Sequence, residues 1–318
     1  MTTQPSATVA ILTYDGERYL EEILTAVEGQ VWDGDVEILV IDSGSTDGTL
    51  AIIADHPRVR LHQIPNAEFG HGSTRDLAAR LATGDFVAYL TQDATPASDE
   101  WLRELLAPML DDERIVAVLG KQAPRPHCHP MLKYEIVGTF AGLGPDFGVS
   151  VFRDTGSFAS RGEFEAAAFY SDVNAAARRA VLTGPVPYRD VSYAEDQLFG
   201  RDVLAAGLRK AYAPRAVVVH SNDLTIREAG ERAVDEVLGL RRIGTEIAPM
   251  SHGQAFRATL RGILSDGLRI VRDRQWSVPG RLRWLLVNPW YQVAKWSGHR
   301  RATRMAVEVE PAALAARV

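Results

Sequence analysis

The sequence predicts an α/β fold, with a mainly parallel central sheet between helices, followed by a helical C-terminal region. Three features predict it. Short runs rich in apolar and β-branched residues alternate with segments whose apolar residues recur at helical spacing. Polar turn residues follow the strand-like runs, and strands joined through helices run parallel with right-handed crossovers. Beyond residue 222 only helical patterns remain.

The predicted elements follow one another as alternating strands and helices. Strands are predicted at residues 8–13, 36–41, 59–64, 86–90 and 115–119, with helices between them that include about 73–82 and 100–110. The segment 120–170 is predicted to be loop-rich and to form a wall for an acceptor, because long irregular connections often carry function. Residues 174–179 are predicted to begin a short helix, residues 193–198 another, and residues 217–219 a last strand.

Charge separates the chain into an acidic body and a basic tail, although the net charge is -6. From Ser251 onward there are 12 Lys or Arg and 4 Asp or Glu, which leaves 23 and 37 before it. We therefore expect two regions, an acidic one at residues 1–222 and a basic helical one at 223–318.

Composition excludes several classes of protein. A hydrophobic fraction of 46% excludes global disorder, and the single cysteine, Cys128, excludes an internal disulfide. The N-terminus lacks the features of a secretion signal, and no run reaches the roughly 18 apolar residues of a membrane span. We expect a cytoplasmic protein without a nucleic-acid partner, because the body is acidic and no nucleic-acid motif appears.

Carboxylates at the ends of predicted elements indicate the chemistry. No P-loop is present, and no Gly-x-Gly-x-x-Gly follows a strand. Asp42 and Asp93 instead follow strands, and Asp196 lies at a helix start. A diphosphate needs a divalent cation and a sugar hydroxyl needs a base, so this pattern suits transfer of a sugar from a nucleotide.

At these residues the chain resembles the inverting family 2 glycosyltransferases with a GT-A fold, and among them the rhamnosyltransferases of bacterial polysaccharide assembly. The resemblance covers roughly residues 8–222 and rests on the order and spacing of several short motifs. These are ILTYDGE at 11–17, DSGSTDGT at 42–49, FGHGSTRD at 69–76, TQDATP at 91–96 and EDQ at 195–197.

The resemblance implies a glycosyltransferase domain at residues 1–222, with a nucleotide-binding half at about 1–120 and an acceptor-binding half at about 121–222. It also implies a site for a nucleotide sugar. Thr13 and Tyr14 would border the nucleotide, with Tyr14 stacking on the base, and Asp42 would accept a hydrogen bond from a pyrimidine N–H. The alternative for Asp42 is a helix N-cap or a turn acid. The same site would include Glu17, Arg75 and Gln92, with the guanidinium of Arg75 clamping the diphosphate; the alternative for Arg75 is a solvated helix residue.

Asp93 matches the last acid of the family's Asp-x-Asp motif, which coordinates Mg²⁺ or Mn²⁺ on the diphosphate. Thr91 stands in place of the first acid. His220 also follows a strand and is a second candidate ligand, against the alternative of a structural histidine.

Asp196 matches the family's catalytic base, which takes the proton from the acceptor hydroxyl. The alternative is a helix N-cap, and both roles are compatible. Glu195 would position Asp196 or meet the acceptor, and Gln197 is assigned to the acceptor side.

The basic C-terminal helices predict attachment to a membrane surface, through Trp284, Trp290 and Trp296 beside basic residues. The alternatives are a solvated basic face, a buried core or a dimer interface.

We therefore predict transfer of L-rhamnose from dTDP-rhamnose to a polysaccharide or lipid-linked glycan. The donor follows from the resemblance alone. The alternatives are a UDP-hexose transferase and a nucleotide-sugar-binding module without catalysis. A sugar nucleotidylyltransferase would need a glycine-rich, basic N-terminal loop that the sequence lacks.

Overall fold

The structure, a computed structural model, describes residues 5–156, 158–221 and 225–314. The chain divides into two compact units. The first comprises Met1–Arg125 and Thr139–Ser221, and the second comprises Pro126–Gly138 and Asn222–Val318. The expected division into functional domains at residue 222 stays a prediction. The segment 126–138 belongs to the compact unit that contains the C-terminal helices.

Strands and helices alternate through most of the first unit, and helices alone follow it. The strands are β1 (Ala7–Thr13), β2 (Val36–Asp42), β3 (Val59–Gln63), β4 (Phe86–Thr91), β5 (Thr95–Pro96), β6 (Ile115–Ala123), β7 (Ser150–Arg153), β8 (Asn174–Arg178) and β9 (Arg209–Val219). The helices are α1 (Leu20–Glu28), α2 (Thr49–Ala54), α3 (His71–Leu81), α4 (Trp101–Asp111), α5 (Pro130–Leu143), α6 (Arg161–Ala168), α7 (Arg179–Leu182), α8 (Glu195–Ala205), α9 (Ile226–Arg242), α10 (His252–Arg272), α11 (Val278–Arg304) and α12 (Pro311–Leu314).

The described strands form one sheet in the order β3-β2-β1-β4-β8-β6-β9-β5, with β7 also paired to β9. Strands β1 to β4 run parallel, as do β6 and β9, whereas β5, β7 and β8 are antiparallel to their neighbours. In register, Thr13 lies opposite Asp42 and Leu12 opposite Thr91. The carboxyl ends of β1, β2 and β4 therefore meet at one edge, and the predicted fold class is confirmed.

The prediction of a helix at residues 174–179 is wrong over most of its length. Residues Asn174–Arg178 form β8, which pairs with both β4 and β6, and only the four residues of α7 that follow are helical. Ala175, Ala176 and Ala177 are fully buried between these strands. Alanine favours helices in isolation, but here backbone pairing with two strands and burial of both faces of the sheet override that propensity.

The segment 120–170 is more regular than its glycines and prolines suggested. It contains the end of β6, the helices α5 and α6, and strand β7. The apolar residues of α5 are spread around the helix, so they give little periodic signal in the sequence. The role of this segment as an acceptor wall stays a prediction.

The second unit is helical and has its own apolar clusters. One contains Met131, Ala229, Ile270 and Tyr291, with Trp284 packed against it. Trp296 is half-buried beside His299, whereas Trp290 is 69% exposed. Of the three tryptophans predicted to meet a membrane, Trp284 therefore belongs to the interior of this unit. Across the described residues, no helix is both long enough and apolar enough to span a bilayer.

Close approach of α9 and α11 depends on two glycines. A Cβ built at Gly298 would fall well inside van der Waals contact with the carbonyl oxygen of Gly230. We expect Gly298→Ala to destabilise the protein by about 1–3 kcal/mol, because backbone must move to admit the methyl group. Thermal unfolding measures this loss. The matched control is Gly253→Ala in α10, where a Cβ meets nothing within 4 Å and helix propensity favours alanine; equal melting temperatures for the two variants would contradict the prediction.

Candidate active site

A cavity of about 300 Å³ lies at the carboxyl edge of β1 and β4. In open α/β sheets, ligands bind at this edge. Apolar and polar side chains both contribute to its wall, which is formed by Leu12, Thr13, Tyr14, Ser43, Phe69, His71, Arg75, Tyr89, Leu90, Thr91, Gln92 and Asp93. Five of the residues predicted to bind a nucleotide sugar, Thr13, Tyr14, Arg75, Gln92 and Asp93, thus share one cavity.

The side-chain amide of Gln92 fixes the loop that follows β1. Its Oε1 accepts hydrogen bonds from Thr13 Oγ1 at 2.9 Å and from the Tyr14 backbone N–H at 2.7 Å. Its Nε2 donates to the Tyr14 carbonyl oxygen at 3.0 Å. These three bonds place the Tyr14 ring at the cavity while leaving the residue 45% exposed. Gln92 therefore positions the cavity wall through Thr13 and Tyr14.

Asp42 and Glu17 do not line this cavity. Asp42 is fully buried, and its carboxylate accepts from the backbone N–H groups of Gly44 and Ser45 and from Ser45 Oγ. Glu17 is exposed and accepts from the Gly48 N–H at 2.7 Å, next to the start of α2. Both acids hold the turns around β2, which is the alternative role considered for Asp42, and their contact with a nucleotide stays a prediction.

Asp93 and His220 lie next to each other at the sheet edge. His220 Nε2 is 3.2 Å from Asp93 Oδ2, and Thr91 Oγ1 donates to Asp93 Oδ1 at 2.7 Å. Burial favours the neutral acid, but the hydrogen bonds and charge of His220, with Thr91, outweigh it and lower the pKa of Asp93. A charged carboxylate therefore faces an imidazole nitrogen at the end of β4.

The other nitrogen of His220 has a defined partner. Nδ1 lies 3.1 Å from Gln122 Oε1, and Gln122 Nε2 donates to Ser171 Oγ at 3.1 Å. Because Gln122 Oε1 is an acceptor, Nδ1 carries the proton. Nε2 donates to Asp93 while the imidazole is charged, and in the neutral form with the proton on Nδ1 its lone pair is directed towards Asp93.

Arg125 holds the residues that join β4 and β5 at this edge of the sheet. It is 6% exposed, its Nη2 donates to the Asp93 carbonyl oxygen and to Thr95 Oγ1 at 3.0 Å each, and its guanidinium lies 3.8 Å from the centre of the Tyr19 ring. This network fixes the turn between β4 and β5. Sequence reasoning missed Arg125 and Gln122, since neither belongs to a motif.

Arg75 is buried in a cluster of acids rather than solvated on α3. Its Nε lies 2.9 Å from Asp172 Oδ2, and its Nη1 is 2.5 Å from Glu195 Oε1. Tyr188 donates to Asp172 Oδ1 at 2.6 Å. Burial raises the pKa of Asp172 to about 6 against the opposing charge of Arg75. Burial also disfavours the charge on Arg75, but Asp172 and Glu195 outweigh it, so the pKa of Arg75 is raised and it stays cationic.

Asp196 lies beside this cluster, in the first turn of α8. Its Oδ1 accepts from the Gln197 N–H at 2.7 Å, and the side chain is half-buried. Burial, together with the negative charges of Glu195 and Asp172, raises the pKa of Asp196 well above that of an ordinary aspartate, although Arg75 opposes the shift. A half-buried carboxylate with a raised pKa is suited to accept a proton.

The start of α8 is conformationally unusual. The N-cap is Ala194, in the left-handed region at φ 60° and ψ 31°, without a side-chain cap hydrogen bond. The N-cap role considered for Asp196 is therefore not the one that the structure shows. Gln197 is directed inward, where its amide donates to the Tyr170 carbonyl oxygen. Backbone strain of this kind persists where surrounding contacts enforce it, which is common at functional sites.

The described fold is that of a GT-A glycosyltransferase. Among solved structures, it is similar to the mannosyltransferase PcManGT from Pyrobaculum calidifontis, which was determined in complex with GDP-Man and Mn²⁺. The likeness has a TM-score of 0.58 at 20% sequence identity and covers 94% of this chain and 88% of that one.

Residues 8–183 match glycosyl transferase family 2, and the chain belongs to that family. Two curated relatives agree with this assignment. The O-antigen chain rhamnosyltransferase RfbN of Salmonella typhimurium is 30% identical over 230 residues, which are 72% of this chain and 70% of RfbN. WbaN of Salmonella anatum, an O-antigen chain rhamnosyltransferase, is 30% identical over 235 residues, or 73% of this chain and 71% of WbaN. The resemblance inferred from the motifs is confirmed.

Proposed function

We propose that this enzyme is an inverting glycosyltransferase that moves L-rhamnose from dTDP-rhamnose onto a cell-surface polysaccharide or lipid-linked glycan. The observation that carries the mechanism is the half-buried Asp196 carboxylate, whose pKa is raised, beside the buried cluster around Arg75. The donor rests on the two rhamnosyltransferase relatives.

In this proposal, Asp196 takes the proton of the acceptor hydroxyl as its oxygen attacks the anomeric carbon. The bond from that carbon to the diphosphate oxygen breaks on the opposite face while the glycosidic bond forms. One displacement therefore inverts the configuration. Glu195, which is paired to Arg75, raises the pKa of Asp196 by its charge and positions it.

Arg75 would contact the leaving diphosphate through Nη2. Among the described residues Nη2 donates no hydrogen bond, whereas Nε and Nη1 face Asp172 and Glu195. On the nucleotide half, the exposed ring of Tyr14 would stack on the base beside Thr13. Asp42 would reach a pyrimidine N–H only if the turn that holds its carboxylate rearranged, and Glu17 would act by holding that turn.

Asp93 and His220 fit a divalent metal, Mg²⁺ or Mn²⁺. Their facing atoms are 3.2 Å apart, as for two neighbouring ligands each about 2.1 Å from one ion. Thr91 and Gln122 orient the two side chains from behind. Among the described residues, no group of three or more His, Cys, Asp or Glu could hold a metal ion, so diphosphate oxygens and water would supply the remaining ligands. A bound ion would neutralise charge on the diphosphate.

Donor and metal can be tested together by a thermal-shift screen of nucleotide sugars with and without Mn²⁺. We expect dTDP-rhamnose with Mn²⁺ to give the largest stabilisation, since ligand binding to the folded state raises the melting temperature. Asp93→Asn and His220→Gln should each lose the part of the shift that depends on Mn²⁺. Asp111→Asn, at an exposed carboxylate at the end of α4, is the matched control and should retain it.

Each alternative predicts its own result in this screen or in an assay of turnover. A larger thermal shift with a UDP-hexose than with dTDP-rhamnose would show that the donor is a UDP-hexose. Donor binding that is independent of Mn²⁺ and unchanged in Asp93→Asn would show that Asp93 does not bind a metal. Donor binding without any turnover, in wild type and Asp196→Asn alike, would support the non-catalytic module. In this proposal Glu195 and Gln197 belong to the acceptor side because they fix the start of α8 through their contacts with Arg75 and the Tyr170 carbonyl oxygen.

A further inference from the structure

Helices α10 and α11 form an antiparallel hairpin within the second unit. Gly262 packs near Gln292, Gly267 near Leu285, and Arg281 Nη1 donates to the Val271 carbonyl oxygen at 2.8 Å. As the residue number rises on α10, it falls on α11, so the two helices run in opposite directions. Only five residues, 273–277, connect them.

Each helix of the hairpin exposes a continuous apolar stripe. The spacing is four, four, four and three residues in both, which keeps every member on one side of its helix. Leu286 is 75% exposed, Trp290 69% and Leu264 67%. We call the ten residues the hairpin face: Phe256, Leu260, Leu264, Leu268 and Val271 on α10, with Val278, Leu282, Leu286, Trp290 and Val293 on α11.

The two stripes lie on the same side of the hairpin. On each helix, one line of residues packs against the other helix, and the apolar stripe lies about 110° around the helix from that line, at 3.6 residues per turn. Viewed from the N-terminus of each helix, the direction of this rotation is the same. Two antiparallel helices are related by a twofold axis perpendicular to the plane that contains both. Rotation about this axis keeps the same side of the hairpin facing outward, so it superposes one stripe on the other. The result is a single broad apolar surface rather than two faces that point apart.

The hairpin that carries this face is strongly basic. Residues 252–304 contain 11 Lys or Arg and 2 Asp or Glu. Both acids are engaged inside the unit: Asp266 is buried and accepts from Gln292 Nε2 at 2.8 Å, and Asp273 pairs with Lys133 at 2.7 Å. Exposed arginines remain beside the apolar residues, namely Arg257, Arg261, Arg272, Arg274 and Arg283.

We propose that the hairpin face docks on an anionic lipid bilayer. Its apolar side chains would enter the boundary between headgroups and acyl chains, and its arginines would contact lipid phosphates, as in amphipathic helices that lie in the membrane plane. A second copy fits less well, because twofold pairing of this face would bring arginine borders together. The proposal is independent of the donor and of the chemistry of transfer.

The test is flotation of the full chain with vesicles of phosphatidylcholine, with or without phosphatidylglycerol. We expect binding to the anionic vesicles only, and Arg257→Gln with Arg261→Gln to weaken it about 25-fold, since each basic residue near the surface contributes about fivefold. Arg227→Gln with Arg232→Gln on α9 removes the same charge from exposed positions outside the face and is the matched control.

The apolar contribution is tested by Leu264→Gln with Leu286→Gln, which should weaken binding at least about tenfold. Val137→Gln, at a residue that is 50% exposed outside the face, should not. Circular dichroism and thermal unfolding establish that each variant folds, and the substituted side chains are exposed in all of them. Failure to float with anionic vesicles, equal binding to neutral vesicles, or a dimer in ultracentrifugation that Leu264→Gln with Leu286→Gln dissociates would overturn the proposal.

Discussion

Asp196→Asn is expected to lower kcat by about 10²–10⁴, because the variant keeps the shape of the side chain but cannot accept a proton. Donor binding should change little, since Asp196 lies outside the wall of the cavity that Thr13, Tyr14 and Gln92 form. Initial rates with the donor selected by the thermal-shift screen, together with donor affinity by calorimetry, measure both quantities.

The pH dependence distinguishes a base from a residue that only holds α8. A base acts when ionised, so activity should rise as pH rises through the pKa of Asp196. Because burial and the charges of Glu195 and Asp172 raise that pKa, the acidic limb should lie above the value of about 3.9 for an ordinary aspartate.

Glu195→Gln, next to Asp196, tests whether the acidic limb of the pH profile belongs to Asp196. Removal of its negative charge should lower the pKa of Asp196 and move the acidic limb to lower pH, while activity is retained in part. Wild-type kcat in Asp196→Asn would show that the base is elsewhere. An acidic limb that does not move in Glu195→Gln would show that the limb belongs to another group.

Sequence patterns located the residues whose position depends on local structure. Thr13, Asp42 and Asp93 follow apolar runs, and the end of a buried strand is visible as the point where such a run stops. His220 was found in the same way, and the fold brings it to 3.2 Å from Asp93 although β4 and β9 are far apart in the chain. Parallel strands share an edge, which explains why strand-end positions predict proximity.

Contacts that depend on tertiary packing were not predictable. Asp172 precedes a run of alanines whose sequence favours a helix, and nothing nearby in the sequence marks it as the partner of Arg75. The pairing of Arg75 with Glu195 joins residues 120 positions apart. The inward orientation of Gln197, and the use of Gln92 to hold Tyr14, likewise follow from packing and not from spacing.

Arg75→Met is expected to destabilise the fold by about 3–5 kcal/mol, because it leaves Asp172 and Glu195 buried without their counter-charge. Denaturant unfolding measures the loss. Arg80→Met on the same helix α3 is the matched control: its side chain is 64% exposed and its ion pair with Asp76 contributes at most about 1 kcal/mol.

The loss in Arg75→Met should depend on pH. Burial raises the pKa of Asp172, and loss of the opposing charge of the guanidinium raises it further above its unfolded value. The folded state then binds more protons, so stability falls as pH rises through that range. The variant should therefore be closer to wild type at pH 5 than at pH 8. If Arg75 served only as a diphosphate ligand, Arg75→Met would weaken donor binding while leaving unfolding unchanged at both pH values. A variant that loses both stability and donor affinity would show that one guanidinium holds the acids of the site and faces the donor, because Nε and Nη1 are engaged by Asp172 and Glu195 and only Nη2 remains for the diphosphate.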